Sequence, residues 1–255
     1  MRLKEAAGWN QTEEDWRRLL MLEPDGCFAA MKDGRLVGTT TTTTYGNDLA
    51  WIGMVLVDPH ERRQGIATKL MNVALDYLDG KVATVKLDAT GEGKTVYEKF
   101  GFEVESLVER WSGTAKALDA ETPHDYAVRD LLALDRIAFN ADRSKLIEAL
   151  IHDACVPPVL LRDGYALARR GSNADYIGPV VAKSAQHVES LLDHVLSQLP
   201  GRRVYIDFNT ECGARTTVLS DRGFVKQRDL IRMTAGARAE KTSPLVIAIA
   251  GPETG

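Results

Sequence analysis

The sequence predicts an α/β chain assembled from two copies of one strand-and-helix module. Three observations carry that expectation. Strand-like runs joined by tight turns alternate with amphipathic helical patterns. An ordered set of short segments in residues 1–113 recurs in residues 126–255. A polar stretch without periodicity, residues 114–125, separates the two and reads as a linker. Ordered self-similarity is the mark of a repeated unit, and a chain of 255 residues has room for two modest domains.

The elements follow in chain order. Leu3, Ala6 and Ala7, then Trp16, Leu19 and Leu20, have helical spacing over 1–22, interrupted at Gly8-Trp9-Asn10. Thr12 with Asp15 reads as a helix start. Cys27–Lys32, the turn Asp33-Gly34 and Arg35–Tyr45 predict a β-hairpin. The six threonines Thr39–Thr44 fit a strand because threonine is β-branched. Leu49–Val57 is nearly all apolar and predicts a strand buried on both faces. Arg63–Leu78 predicts an amphipathic helix with Ile66, Leu70, Val73, Ala74 and Leu78 inward. Val82–Leu87 reads as a strand, Thr95–Phe100 as a short helix stopped by Gly101, and Phe102–Trp111 as a strand.

The second half repeats this order. Val159–Leu161, Arg162-Asp163-Gly164 and Tyr165–Arg169 mirror the first hairpin. Tyr176-Ile177-Gly178 mirrors Trp51-Ile52-Gly53, and a helix over Val188–Leu199 mirrors Ala67–Leu78. Val204-Tyr205-Ile206-Asp207 mirrors Val85-Lys86-Leu87-Asp88, and Gly223-Phe224 mirrors Gly101-Phe102.

Composition excludes several classes. A net charge of −4 with no clustered basic excess argues against a nucleic-acid partner. No apolar stretch reaches the ~18–20 residues that span a bilayer, and the N-terminus lacks the apolar core of a signal peptide. Cys27, Cys155 and Cys212 form no Cys-x-x-Cys pair and read as free thiols of a reducing compartment, so a cytoplasmic location is expected. The histidines His60, His124, His152, His187 and His194 have no ligand spacing, and no metal is expected.

The sharpest local feature is Val57-Asp58-Pro59-His60-Glu61-Arg62-Arg63-Gln64-Gly65-Ile66-Ala67, joining a buried strand to a helix. A helix N-terminus presents unpaired N–H groups and a partial positive charge, which suits phosphate. Gly65 allows close backbone approach, and Arg62 and Arg63 add charge. Gly-x-x-x-x-Gly-Lys-Ser/Thr and Gly-x-Gly-x-x-Gly are both absent, which argues against a nucleoside triphosphatase and a dinucleotide fold.

On these residues the stretch Trp51–Leu78 resembles the central motif of the GNAT superfamily of N-acetyltransferases, Arg/Gln-x-x-Gly-x-Gly/Ala. A second GNAT-like signature is Leu87-Asp88-Ala89-Thr90 followed by Tyr97-Glu98-Lys99-Phe100-Gly101-Phe102, with Thr90, Gly93 and Val96 departing from the family's usual Asn, Ala and Leu. The resemblance implies tandem modules, each a mixed, mainly antiparallel twisted sheet flanked by helices. It also implies acetyl-CoA as the cofactor. Backbone groups of Met54, Val55, Leu56 and Val57 would pair with the pantetheine arm. The N–H groups of Arg62, Arg63, Gln64, Gly65, Ile66, Ala67 and Thr68 would hold the pyrophosphate. Thr90 and Phe100 would border the cofactor, and Tyr97 would protonate the departing thiolate.

The activity expected is transfer of an acetyl group to a primary amine of a small molecule or peptide, by a monomer or homodimer. A non-catalytic acyl-CoA sensor is the alternative. Such transfer needs a neutral amine, a polarised carbonyl and a proton for sulfur. A backbone N–H near Val55 would meet the oxyanion. Asp48, Glu13 and Glu14 are candidate bases. Trp9, Asn10 and Asp48 are candidate acceptor contacts, with Trp16 nearby.

The second copy lacks this chemistry. From Gly178 to Leu199 it is four residues shorter than from Gly53 to Leu78, and Ala182-Lys183-Ser184-Ala185-Gln186-His187 replaces the arginine turn. Leu219 stands in the slot of Tyr97. The second half is therefore expected to bind no CoA, to buttress the first and to wall the acceptor cleft, with Asp175, Tyr176, Asp207 and Asn209 read as structural residues and, as the alternative, acceptor contacts. GNAT modules usually begin with a strand before the first helix. The apolar run Leu245–Ala250 is a candidate to fill that place at the edge of the first module.

Overall fold

The chain begins with two helices that cross the sheet, α1 (Arg2–Ala6) and α2 (Glu13–Leu22). A reciprocal cap starts α2. The Thr12 hydroxyl accepts from Asp15 N, and the Asp15 carboxylate accepts from Thr12 N. Next come β1 (Cys27–Lys32), β2 (Arg35–Tyr45), β3 (Leu49–Val57), α3 (Ile66–Leu78), β4 (Thr84–Ala89), α4 (Gly91–Tyr97) and β5 (Glu103–Thr114). The second half contains α5 (Val128–Phe139), α6 (Ser144–His152), β6 (Val159–Leu161), β7 (Gly164–Arg169), β8 (Asp175–Ala182) and α7 (Ala185–Ser197). It closes with β9 (Arg203–Asn209), α8 (Thr217–Ser220), β10 (Val225–Gly236) and β11 (Val246–Ala248). The computed structural model describes residues 1–116, 127–236 and 241–255. Most of the expected linker, residues 114–125, lies outside the described residues. Strand β5 itself runs through Gly113 to Thr114, one residue past the expected end of the first half.

The eleven strands of the described residues form one sheet, in the order β1-β2-β3-β4-β10-β5-β9-β11-β8-β7-β6. Most neighbours are antiparallel. The parallel contacts are β3 with β4 over Leu49–Trp51 and β8 with β9 over Asp175–Ile177. The tandem reading holds, with one addition that the repeat pattern did not show: the halves exchange strands. Strand β10, from the second half, lies between β4 and β5 of the first, with Met233 opposite Leu87 and Leu230 opposite Val108. Strand β5 in turn pairs with β9, Arg110 opposite Asp207.

Three apolar clusters follow from this layout. Helix α3 packs Met71, Ala74 and Leu78 on Ile52, Leu87 and Phe102, together with Met233 of β10. Helix α7 packs Leu191, Val195 and Leu199 on Ile206 and Phe208. On the remaining face α5 and α6 bury Leu131, Leu134, Ala138, Leu146, Ile147 and Leu150 across both halves, against Trp51, Val108 and Leu230. The spacing of those six residues is helical and was available in the sequence, although residues 126–158 carried no expectation.

Several expectations need correction. Helix α3 starts at Ile66, not Arg63, because Arg63 (φ 61°) and Gly65 (φ 77°) are left-handed and cannot continue a right-handed helix. Val73 is 44% exposed, and Met71 takes the inward place expected for it. Helix α7 starts at Ala185 and ends at Ser197, so the second half joins strand to helix with residues 183–184 where the first uses 58–65. The joint itself is six residues shorter, and the helix ending two residues before Leu199 leaves the span from glycine to leucine four residues shorter. Strand β11 does not extend the first module's edge, where β1 is terminal. It lies between β8 and β9, with Val246 opposite Val181 and Ala248 opposite Phe208.

Candidate active site

Below Trp51 the paired strands β3 and β4 part company, because their parallel ladder ends there. The register of β2 on β3 slips between Thr39 and Thr41, which places Met54 and Val55 in a bulge, and Met54 takes φ 51°. A bulge re-aims the backbone and frees it from the ladder. Hydroxyls of β2 secure the bulge: Thr39 donates to Met54 O at 2.8 Å and Thr40 to Gly53 O. The result is an open V in the sheet with free strand edge along its wall.

The tip of β3 leads into the arginine loop. Asp58 is buried there and accepts from His60 N at 3.0 Å and Arg2 Nη1 at 2.5 Å, which ties α1 to the loop. Those bonds hold its carboxyl below the usual range, Arg2 contributing most. Helix α3 begins with no side-chain cap, and its first backbone bond runs from Lys69 N to Gly65 O. The N–H groups of Ile66, Ala67 and Thr68 therefore have no acceptor within the helix. A Cβ built on Gly65 would meet open space, so the requirement for glycine is the positive φ and the open approach, not crowding. Arg62 and Arg63 are exposed and make no ion pair among the described residues. Gln64 turns away, bonded to Glu61 and Lys32.

This loop forms one end of a cleft of about 900 Å³, walled by Val55–Val57 on one side and Thr90–Gly93 on the other, with Ala6, Ala7 and Trp9 as its roof. A second, smaller cavity of about 70 Å³ continues from it into the V. Trp9, Val55, Thr90, Tyr97 and Arg228 line both and mark the junction. Tyr97 packs edge-on against Phe102, ring centroids 6.4 Å apart, and its hydroxyl has no hydrogen bond with a described residue. Burial pushes its phenol up to about 12, so it stays protonated at neutral pH. Thr90 caps α4, accepting from Gly93 N.

Other expected site residues lie elsewhere. Phe100 packs into the α3 core rather than lining the cleft. Asp48 precedes β3 and sits at the end of the strand remote from Val57, beside Lys86 and Arg232. Glu13 pairs with Arg17 on the solvent side, and Glu14 is exposed. Asn10 is buried, bonded to Asn173 N, Ala174 N and Ala174 O, so it anchors the second half and is not open to an acceptor. Among the cavity residues without a signal in the sequence are Gln11, Arg110 of β5, Arg228 of β10 and Glu253 of the C-terminal tail.

Two models of GNAT acetyltransferase domains match the chain, one over residues 3–102 and one over residues 131–245. The chain belongs to the GNAT acetyltransferase family. It is 29% identical over 241 residues to the uncharacterised N-acetyltransferase YitH of Bacillus subtilis, covering 89% of this chain and 83% of YitH. A candidate acetyltransferase of Pyrococcus horikoshii of known structure is 25% identical, with a TM-score of 0.84 over 95% of this chain and 85% of its own. A GCN5-related N-acetyltransferase of Sphaerobacter thermophilus shares the fold at 14% identity, with a TM-score of 0.67 over 99% and 92% of the chains. Both halves of the sheet are thus GNAT modules, and only the first has an open V.

The second V is filled. Strand β11 occupies it, held by Asn209, whose Nδ2 donates to Val246 O at 2.8 Å. Every residue of β8 is buried, and Leu219, in the slot of Tyr97, is fully enclosed in the core. Asp207 accepts a bidentate pair from Arg110 and a third bond from Tyr176. Asp175 pairs with Arg170 and Arg202. Asp175, Tyr176, Asp207 and Asn209 thus all make internal bonds of the second copy or of its joint with the first.

Proposed function

We propose that the chain transfers an acetyl group from acetyl-CoA to a primary amine, using the V between β3 and β4. The observation that carries this reading is continuity. A loop suited to pyrophosphate, a free strand edge suited to an extended amide-bearing arm, and a protonated phenol lie along one cleft that ends in a cavity. The cleft fits the donor on its own terms. The unpaired N–H groups of Ile66–Thr68 and the unpaired Arg62 and Arg63 supply positive character at one end. The bulged backbone at Met54–Val55, where Thr39 takes the Met54 carbonyl, supplies groups outside the β2 register at the other.

The thioester provides the activated acyl group. Residues of the chain do the rest. A backbone N–H at the bulge near Val55 faces the place where negative charge develops on the carbonyl oxygen, and such preorganised donors are worth several kcal/mol. Tyr97 donates its proton to sulfur as the carbon–sulfur bond breaks. A phenol raised to about 12 is a poor acid in the ground state but remains fully loaded at neutral pH, which a thiolate leaving group requires.

Tyr97→Phe should lower the rate of thiol release by about 10²-fold or more, the usual worth of a general acid. Calorimetric binding of acetyl-CoA should change little. Turnover equal to wild type would remove the role of Tyr97, and a wild-type chain that binds acetyl-CoA but transfers it to no amine would leave a sensor.

A further inference from the structure

We infer that Glu253, carried into the first module's cavity by the C-terminal tail of the second, is the proton acceptor for the incoming amine. The inference rests on the acetyl-transfer reading above. It supplies the one chemical role that reading leaves without a residue.

The tail is built to reach this place. After β11, residues 251–255 cross to β3 and are tied down there. Tyr45 donates to Thr254 O, Trp51 Nε1 to Pro252 O at 3.1 Å, and Arg143 Nη1 to Gly255 O at 2.8 Å. The approach is so close that a Cβ on Gly53 would lie 2.7 Å from both Glu253 Cα and Glu253 O, so Gly53 must be glycine for the tail to seat. Gly53 and Glu253 line the same cavity as Tyr97 and Val55.

The side chain of Glu253 is 5% exposed; the residue lines that cavity and also a small void of about 10 Å³ beside Asp15, Arg18 and Arg169. Its Oε2 accepts from Gln11 Nε2 at 2.8 Å and its Oε1 from Arg169 Nη2 at 3.2 Å. The other end of the Gln11 amide, Oε1, is buried and lacks a hydrogen-bond partner among the described residues, and Gln11 lines the same cavity. An unsatisfied buried acceptor is costly, and an amine N–H entering the cavity would satisfy it. Gln11 Oε1 and Glu253 thus form an acceptor pair for a nitrogen that carries two protons to place. The nitrogen attacks the acyl carbon, and the C–N bond forms. The proton it sheds passes to the Glu253 carboxylate. The C–S bond breaks, and sulfur takes the proton of Tyr97.

The charged groups around Glu253 tune it. Arg169 of β7 stabilises its anion, while Asp15 of α2 shares that guanidinium and opposes it. Arg18 of α2 and Arg110 of β5 add positive charge, and Tyr45 and Tyr176 stay neutral beside it. Burial outweighs the attraction, and the carboxyl is raised above its ordinary value. A raised base is closer to the working pH and takes a proton more readily. Activity that needs the carboxylate is lost as pH falls through this raised value, so the acid limb should lie above the ordinary glutamate range.

The test compares wild type with Glu253→Gln and Glu253→Asp, using acetyl-CoA with water, glycine, ethanolamine and methylamine as probe acceptors. Arg169 keeps Asp15 as its counter-charge and glutamine keeps an acceptor for it, so acetyl-CoA affinity should stay near wild type and the chain should still melt cooperatively. Thiol release should fall about 10²- to 10⁴-fold in Glu253→Gln, its acid limb should vanish, and Glu253→Asp should recover part of the rate. A Glu253→Gln rate within threefold of wild type, with the acid limb intact, overturns the assignment. A wild-type chain that binds acetyl-CoA yet releases no thiol with any probe overturns the transfer reading itself, and this proposal with it.

Discussion

Arg143 shows how a single ion pair can hold this fold together. Its side chain is fully buried, sandwiched on the Phe139 ring at 3.8 Å. It donates to both oxygens of Asp135 and to Gly255 O, so one guanidinium joins α5, the loop before α6 and the end of the tail. Tyr165 donates to the same Asp135. Asp135→Asn leaves this guanidinium buried without its counter-charge, and breaking such a pair costs about 3–5 kcal/mol. Chemical denaturation should show that loss, whereas Asp130→Asn, at an exposed site, should stay within about 0.5 kcal/mol of wild type. At this scale the sequence was uneven as a guide. Tyr97 was legible because its partner signals, Gly101-Phe102 and the preceding strand, lie within fifteen residues. Glu253 was not, because its neighbour Gly53 is two hundred residues away and no local pattern links them. Asp48 looked suitable only because it stands next to the right strand, and it proved to be at that strand's remote end.

At the scale of elements, the two strand-to-helix joints explain why one copy has a cleft and the other has none. In the first, residues 58–65 leave the strand in a short 3₁₀ turn, pass two left-handed residues and deliver α3 with its first amides exposed. In the second, residues 183–184 drop the chain straight into α7. The missing arginine loop was readable from the sequence. The seating of β11 in the second V was not, since an apolar hexapeptide at a chain end carries no address. Gly65→Glu should test the first joint. A side chain at φ 77° costs about 1–2 kcal/mol, and the added carboxylate would face the amides meant for phosphate. Wild type should titrate with one acetyl-CoA per chain, and Gly65→Glu should abolish the heat. A residual second site in that variant would mean that the β11-filled V also binds.

At the scale of the whole molecule, the exchanged strands make the halves mutually dependent. Strand β10 supplies Met233 to the first module's core and is the hydrogen-bonding neighbour of both β4 and β5 at the sheet's centre. Without the second half, β5 would lose its ladders to β10 and β9 together, and the wall of the cleft at Leu87 and Asp88 would become an open edge. Asp88 would suffer most. Its side chain is fully buried, and its carboxylate is bonded at 2.8 Å through each oxygen to Arg232 of β10. The repeat in the sequence suggested two separable units, because strands β5 and β10 have the same local pattern whichever sheet neighbour they choose. Their exchange is a long-range outcome that periodicity does not encode. A chain ending at residue 116 should therefore show no cooperative unfolding transition and no acetyl-CoA binding, although it contains every residue of the phosphate loop and Tyr97. Adding residues 127–255 as a separate chain, co-expressed, should restore both. A folded, CoA-binding fragment 1–116 would show that β10 is dispensable, and that the tandem arrangement serves only to bring Glu253 to the cavity.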